Sequence, residues 1–391
     1  MAPKTFCIIP WTHARISTNG ALDPCCKIST AFPKQNINTV NDFDQDWWNG
    51  QPMQQLRQDL AQGVKTKYCD TCWNDEAAGK SSLRQEYNKR LSKHTDLRAI
   101  AASKTYISDH MPIGLDIDMG NICNFKCMMC TPRNSSRIQT EKKQHSSKFK
   151  ELSFLPIDPE FNFDWPDQAQ FQTLFKSIAP NLKILQLKGG EPLLIKDVMS
   201  TIKLVEDKKN TVLSITTNGS VKFDDDFVDQ LTQFQRIWLC VSVDGIEEHG
   251  EYVRYGSHWP TTHNTISKLS KLSNCTFRLS TVLQFYSALT FPRIADYAID
   301  NNLDMEILFC YTPNFLSIHS ILPRHHEMFL QFINEKTQQH PDILWLKTVQ
   351  GYLNSYVFDP VLHEQCQQYT ATLNSIRHNQ SADIQELFHN A

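Results

Sequence analysis

The chain has 391 residues, with 39 Lys and Arg against 42 Asp and Glu and a formal net charge of -3. That balance lacks the basic footprint of a nucleic-acid-binding domain, and no apolar run reaches the length of a membrane-spanning helix. The length suits two domains, or one large domain with an extension, with a core that needs no covalent staples.

The start, MAPKTFCIIPWTH, has one lysine and a very short apolar stretch, which is not the pattern of a secretory leader. The expectation is a cytoplasmic protein, in which clustered thiols signal metal or redox chemistry rather than disulfides. The chain holds 12 cysteines. Cys7, Cys25, Cys26, Cys69 and Cys72 come early, and Cys123, Cys127 and Cys130 form a tight group. Cys240, Cys275, Cys310 and Cys366 are scattered and read as small packing residues.

Residues 1 to about 110 read as irregular at first and then helical. Trp48, Met53, Leu56 and Leu60 fall at helical spacing before Gly63. A second helix is expected from Trp73 to about Lys93, rich in Glu, Gln, Arg and Lys. From residue 113 the pattern changes to apolar runs of strand length: IGLDIDMG, LKILQLKGG, TVLSITTNG, RIWLCVSVDG, TFRLSTVLQ and MEILFCY. Helical stretches such as DVMSTIKLVEDKK and FPRIADYAIDNN lie between them. The alternation predicts an α/β fold built from βα units. The number of strands fits an incomplete barrel better than a short open sheet, a choice that periodicity alone leaves open. Residues 134–170 read as an insertion, and 316–391 as a helical extension with a polar tail.

The spacing in CNFKCMMC is C-x3-C-x2-C. Soft thiolates bind zinc or iron–sulfur clusters. A structural zinc wants a full set of four protein ligands, whereas three thiolates leave one iron of a four-iron cluster open to a substrate or cofactor. Downstream, KGGEP, TTNG, VSVDG and YVRYG follow successive strands, at the strand ends where barrels bind ligands.

This set resembles the signature of radical S-adenosylmethionine enzymes. The resemblance implies a partial (β/α)6 TIM-type barrel over 111–315 and a catalytic [4Fe–4S] cluster on Cys123, Cys127 and Cys130. S-adenosylmethionine would chelate the open iron and be cleaved to a 5′-deoxyadenosyl radical. Gly189 and Gly190 would let backbone approach the methionyl part, and Glu191 would pair with its ammonium. Asn218, Ser242 and Asp244 would line the cofactor site, the last two on its ribose. Arg254 would meet the carboxylate, and Met129 would lie near adenine or else pack the loop.

In the N-terminal part, Cys7, Gly20, Cys25 and the Cys69–Cys72 pair resemble the opening of a SPASM or twitch cluster domain, placed before the barrel instead of after it. The resemblance implies an auxiliary [4Fe–4S] cluster within residues 1–110 on Cys7, Cys25, Cys69 and Cys72. A zinc knuckle is the alternative, Cys26 competes with Cys25, and His13 is another possible ligand. Trp11 and Trp73 stand near enough in sequence to tune it. Asp116 and Asp118, on one side of the first strand, and Tyr311 after the sixth, with Asn314, are the candidate proton-handling residues. The expected partners are a reductant such as flavodoxin or ferredoxin and a peptide or small-molecule substrate, which includes a sugar or nucleotide. A non-catalytic iron–sulfur or zinc redox or scaffold protein is the rival class, and neither membrane nor nucleic acid is an expected partner.

Overall fold

Apolar side chains alternating along short runs place most of the strands. The computed structural model describes residues 3–77, 81–91, 106–156 and 162–389. The chain forms two units, residues 1–120, 161–214 and 229–236, and residues 121–160, 215–228 and 237–391. Both mix helices with strands, so the fold is α/β. Among the described residues no helix is long and apolar enough to cross a membrane.

In the first unit the Gly114–Asp118 strand buries Leu115 and Ile117 completely. It runs parallel to Ile184–Lys188 on one side and to His13–Ile16 on the other. His13–Ile16 turns back antiparallel into Ala21–Asp23, which pairs with Gln35–Asn36. The irregular reading of this stretch is therefore corrected: its strands are only 4, 3 and 2 residues long, too short to show a period. The register sets Arg15 opposite both Asp23 and Asp116, and Asp118 opposite Lys188, so opposite charges face each other across strands.

The helix Gln51–Ala61 buries Met53, Leu56 and Leu60, with Pro52 in its first turn, where a missing N–H costs nothing. Its Arg57 is fully buried and donates to the carbonyls of Pro10 (2.9 Å) and Tyr106 (3.0 Å) and to Asn49 (2.8 Å). The helix expected from Trp73 to Lys93 is instead two, Asp70–Ala77 and Leu83–Leu91; residues 78–80 and 92–93 lie outside the described residues.

In the second unit Arg236–Ser242, Cys275–Leu283 and Asp304–Phe309 run parallel, the middle strand pairing with both others. Trp259–Leu269 and Ser287–Asp300 are the intervening helices. Residues 134–156 carry two helices, Ser136–Gln144 and Ser146–Glu151. The helices Pro323–Gln339, Leu344–Leu353 and Pro360–Arg377 share one apolar core with the strands, through residues such as Phe291, Phe329, Trp345 and Tyr369. The chain end is not a polar tail. Ile384, Leu387 and Phe388 are buried, and Phe388 stacks on Phe285 with centroids 4.8 Å apart.

Candidate functional site

The cysteine loop lies in the second unit and is fixed by a short antiparallel pairing of Lys126–Cys127 with Arg254–Tyr255. Cys127 sits opposite Arg254, and Met128 N donates to Val253 O (2.8 Å). Gly256 makes the close approach possible: its φ is +98°, and a Cβ would come 3.2 Å from Asn124 O. Ser135 caps the following helix by accepting from Ile138 N, and its hydroxyl donates back to Phe125 O (2.7 Å). Two N–H donors face Cys123 Sγ, Phe125 N at 3.5 Å and Asn218 Nδ2 at 3.9 Å.

The three thiols lie within electrostatic range of one another and of Arg254. Burial pushes the Cys127 thiol up to about 11 and the Cys130 thiol higher still. Burial alone would lower Arg254, but Cys127 and Asp244 outweigh it and raise it. Arg254 Nη1 donates to Asp244 Oδ2 (2.9 Å), and Asp244 Oδ1 accepts from Val282 N (2.7 Å). Asp244 is itself raised, because its burial exceeds the attraction of Arg254. Among the described residues the buried Nε of Arg254 has no hydrogen-bond partner.

One pocket brings Asn218, Ser242 and Arg254 together with Phe125 of the cysteine loop. Glu251, Ser257, Trp259 and Thr262 also line it and were not picked out from sequence; Ser257 and Trp259 closely follow YVRYG, so position was the available signal. Asp244 backs Arg254 rather than lining the pocket. Met129 packs against the cysteine loop and the helical core. A buried arginine nitrogen without an acceptor, beside three thiols, is suited to a carboxylate ligand that also reaches the thiol-bound group.

The KGGEP turn belongs to the first unit. Gly189 has φ +129°, and a Cβ there would lie 2.8 Å from Met119 N and 2.9 Å from Gly120 O. Gly190 N donates to Gly120 O (3.0 Å). Gly189 is thus required by the packing of this turn on the end of the Gly114–Asp118 strand. Glu191 is fully buried and accepts from Leu193 N (3.1 Å), capping the turn Pro192–Leu194.

Asp116 and Asp118 stand in a buried ion network. Lys188 Nζ is 3.0 Å from Asp116, Arg15 pairs with Asp118 and with Asp23 (3.1 Å), and Lys34 reaches Asp23 at 2.9 Å. Burial raises Asp118 despite Arg15 and Lys188. Tyr311, in the second unit, is 65% exposed and stands edge-on to Phe309 and Tyr352. Asn314 opens a short turn, Asn314–Leu316.

The N-terminal cysteines gather within the first unit. Cys7 lies in electrostatic range of Cys69 and Cys72, and Cys25 in range of Cys7 and Cys69. Cys26 faces Lys188, Asp116 and Arg15 instead. Burial pushes Cys69 up to about 12. Cys69 ends the turn Lys67–Cys69, and Cys72 follows on the helix Asp70–Ala77. Trp73 Nε1 donates to Thr66 O (2.9 Å) within the Cys69–Cys72 segment, and Ser29 N donates to Tyr68 O (2.9 Å), tying that segment to the one after Cys25. Arg84, missed from sequence, lies over the Trp73 ring at 5.2 Å and donates to Phe6 O (2.7 Å). Trp11 packs on Phe6, with centroids 5.2 Å apart. His13 is buried, its ring filling the space over Gly114 and edge-on to Tyr87. Burial lowers its pKa to about 3, so it is neutral at pH 7. Among the described residues, no three His, Cys, Asp or Glu side chains converge tightly enough for a single metal ion.

Residues 7–73 match the model of the SPASM iron–sulfur cluster-binding domain. The chain is 29% identical over 134 residues to a GTP 3′,8-cyclase of Campylobacter jejuni subsp. doylei, covering 34% of this chain and 35% of that one. It is 30% identical over 106 residues to a GTP 3′,8-cyclase of Aliarcobacter butzleri, covering 27% of each. The chain thus spans about a third of the length of the curated relatives it matches. Among solved structures it resembles Streptococcus suis SuiB bound to S-adenosylmethionine, at 14% identity and a TM-score of 0.38, over 86% of this chain and 71% of that one. It also resembles anSMEcpe with bound AdoMet, at 18% identity and a TM-score of 0.40, over 58% of this chain and 57% of that one.

Proposed function

We propose, on the premise that this chain is a radical S-adenosylmethionine protein with an N-terminal SPASM-type module, that it is an enzyme abstracting hydrogen from a peptide or small-molecule substrate. Cys123, Cys127 and Cys130 would hold a [4Fe–4S] cluster, and Cys7, Cys25, Cys69 and Cys72 an auxiliary one. When bound, the first cluster and S-adenosylmethionine supply a 5′-deoxyadenosyl radical by one-electron reductive cleavage. A partial barrel over 111–315 and a helical extension over 316–391 remain the proposed division of the rest.

The residues of the chain have separate tasks in this reading. Arg254 binds the cofactor carboxylate through its free Nε while Asp244 holds the other end of the guanidinium. Ser242 and Asn218 offer hydrogen bonds from the pocket wall, and Phe125 shields the loop thiols from water. Asn218 Nδ2 and Phe125 N direct donors at Cys123 Sγ, which moderates charge on the sulfur. Asp116, Asp118 and Tyr311 are the proposed proton-handling groups, Asp116 held by Arg15 and Lys188 and Asp118 by Arg15. The auxiliary cysteines, all four used on their own cluster, leave no iron open, so their role is electron acceptance or support of the fold.

The observation that carries the reading is the pocket lined by Phe125, Asn218, Ser242 and Arg254, whose guanidinium is in electrostatic range of the three thiols and whose buried Nε has no hydrogen-bond partner among the described residues. A nucleotide substrate is a second reading, favoured by the similarity to GTP 3′,8-cyclases. The proposed electron donor is a flavodoxin or ferredoxin, in a cytoplasmic setting. The test is anaerobic reduction of the reconstituted protein with S-adenosylmethionine. Release of 5′-deoxyadenosine, lost when Cys123, Cys127 and Cys130 are all replaced by Ala, supports the reading. Absence of release from the wild type removes it in favour of a non-catalytic iron–sulfur or zinc protein, and persistence in the triple variant removes the assignment of the chemistry to these three cysteines.

A further inference from the structure

The residues on either side of Cys127 are tied to the helix Pro360–Arg377, Met128 directly and Lys126 through Glu141. Glu141, on the helix that follows the cysteine loop, has a carboxylate only 4% exposed. It accepts from Lys126 Nζ (2.6 Å), Arg377 Nε (3.2 Å) and Arg377 Nη2 (2.8 Å). Lys126 immediately precedes Cys127. The remaining guanidinium nitrogen, Arg377 Nη1, lies 3.3 Å from Sδ of Met128, which immediately follows it.

Tyr255 completes the arrangement. It sits opposite Lys126 in the two-stranded pairing, with Lys126 Nζ 4.8 Å and Arg377 Cζ 5.1 Å from its ring centroid. Its hydroxyl donates to Arg377 O (3.3 Å). The same helix, Pro360–Arg377, also presents Tyr369, whose hydroxyl donates to Met128 O (3.1 Å). All these residues belong to the second unit. With Arg254 and Asp244 included, three cations and two carboxylates leave a net positive charge beside Cys127, in surroundings where charge is poorly screened.

We propose that Arg377 is a positioning residue of the cysteine loop. By gripping Glu141 and Met128 it fixes the backbone on both sides of Cys127, and it keeps a positive field at the cluster thiolates. The helix Pro360–Arg377 is thereby a working part of the cluster site. This rests on the reading that the loop cysteines hold an iron–sulfur cluster.

The sign of the field gives the test, because positive charge near a cluster favours its reduced, more negative state. The probe is a redox titration of the loop cluster, followed by its electron paramagnetic resonance signal and identified by the response of that signal to S-adenosylmethionine. Arg377→Met is expected to shift the midpoint to more negative potential and Glu141→Gln to shift it to more positive. Arg377→Lys, which keeps the charge, is expected to restore most of the potential. If Arg377→Met fails to fold, Lys126→Met, at a side chain 25% exposed, takes its place with the same negative sign. Shifts of the same sign in the cation and carboxylate variants, or none, overturn the proposal and leave Arg377 a packing residue. A wild type with no signal responsive to S-adenosylmethionine overturns the underlying reading and this inference with it.

Discussion

Arg254 is a residue whose chemistry is half used. One nitrogen is committed to Asp244, and the buried Nε has no hydrogen-bond partner among the described residues. A charge-assisted hydrogen bond is worth about 1.5–3 kcal/mol, so Arg254→Gln is expected to weaken S-adenosylmethionine binding by roughly tenfold to a hundredfold. Calorimetry on the reconstituted protein measures it, and unchanged affinity would assign Arg254 to loop packing alone. His13 makes a second prediction at this scale, about stability. Burial lowers it from 6.5 to about 3 in the folded chain. The unfolded chain binds the proton first as pH falls, so the stabilisation is complete above pH 6.5 and lost on the way down to about 3. Wild type is expected to lose on the order of a few kcal/mol across that window, and His13→Phe less. Urea unfolding at a series of pH values checks it; identical slopes in the two proteins would show that other groups govern the acid transition.

At the scale of elements, the KGGEP turn and the cysteine loop are both held by close backbone approaches. Gly189→Ala places a methyl against Met119 N and Gly120 O and forces a conformation that only glycine adopts readily, at φ +129°. A cost of roughly 1–3 kcal/mol is expected from such strain, read as a lower urea midpoint at unchanged slope. No change would mean that the turn relaxes freely. The longer strands were legible because Leu, Ile and Val runs of buried strands have few other uses, and Ile184–Lys188 and Arg236–Ser242 lie where the sequence puts them. The short pairings, Lys126–Cys127 with Arg254–Tyr255 and the strands before residue 37, carry no period to detect. The end of the chain did carry a signal: Ile384, Leu387 and Phe388 fall at helical spacing inside a polar stretch.

At the scale of the whole molecule, the chain carries two separate thiol groups, one in each unit. The loop group was legible because its three cysteines lie within eight residues. Arg377 was not, because 236 positions separate it from Glu141 and a charged residue on a polar helix reads as solvent-facing. The N-terminal group was legible as a set, but the choice of Cys25 over Cys26 depends on which thiol faces Cys7 and Cys69, a matter of folding and not of spacing. The central claim is that both groups hold iron–sulfur clusters, an open one on three thiolates and a closed one on four. Its most direct measurement is iron per chain after anaerobic reconstitution, in the wild type and in the variant lacking Cys123, Cys127 and Cys130. The account predicts about eight irons in the wild type and about four in the variant, as two four-iron clusters require. One zinc and no iron in that variant would contradict it, making the N-terminal group a zinc knuckle.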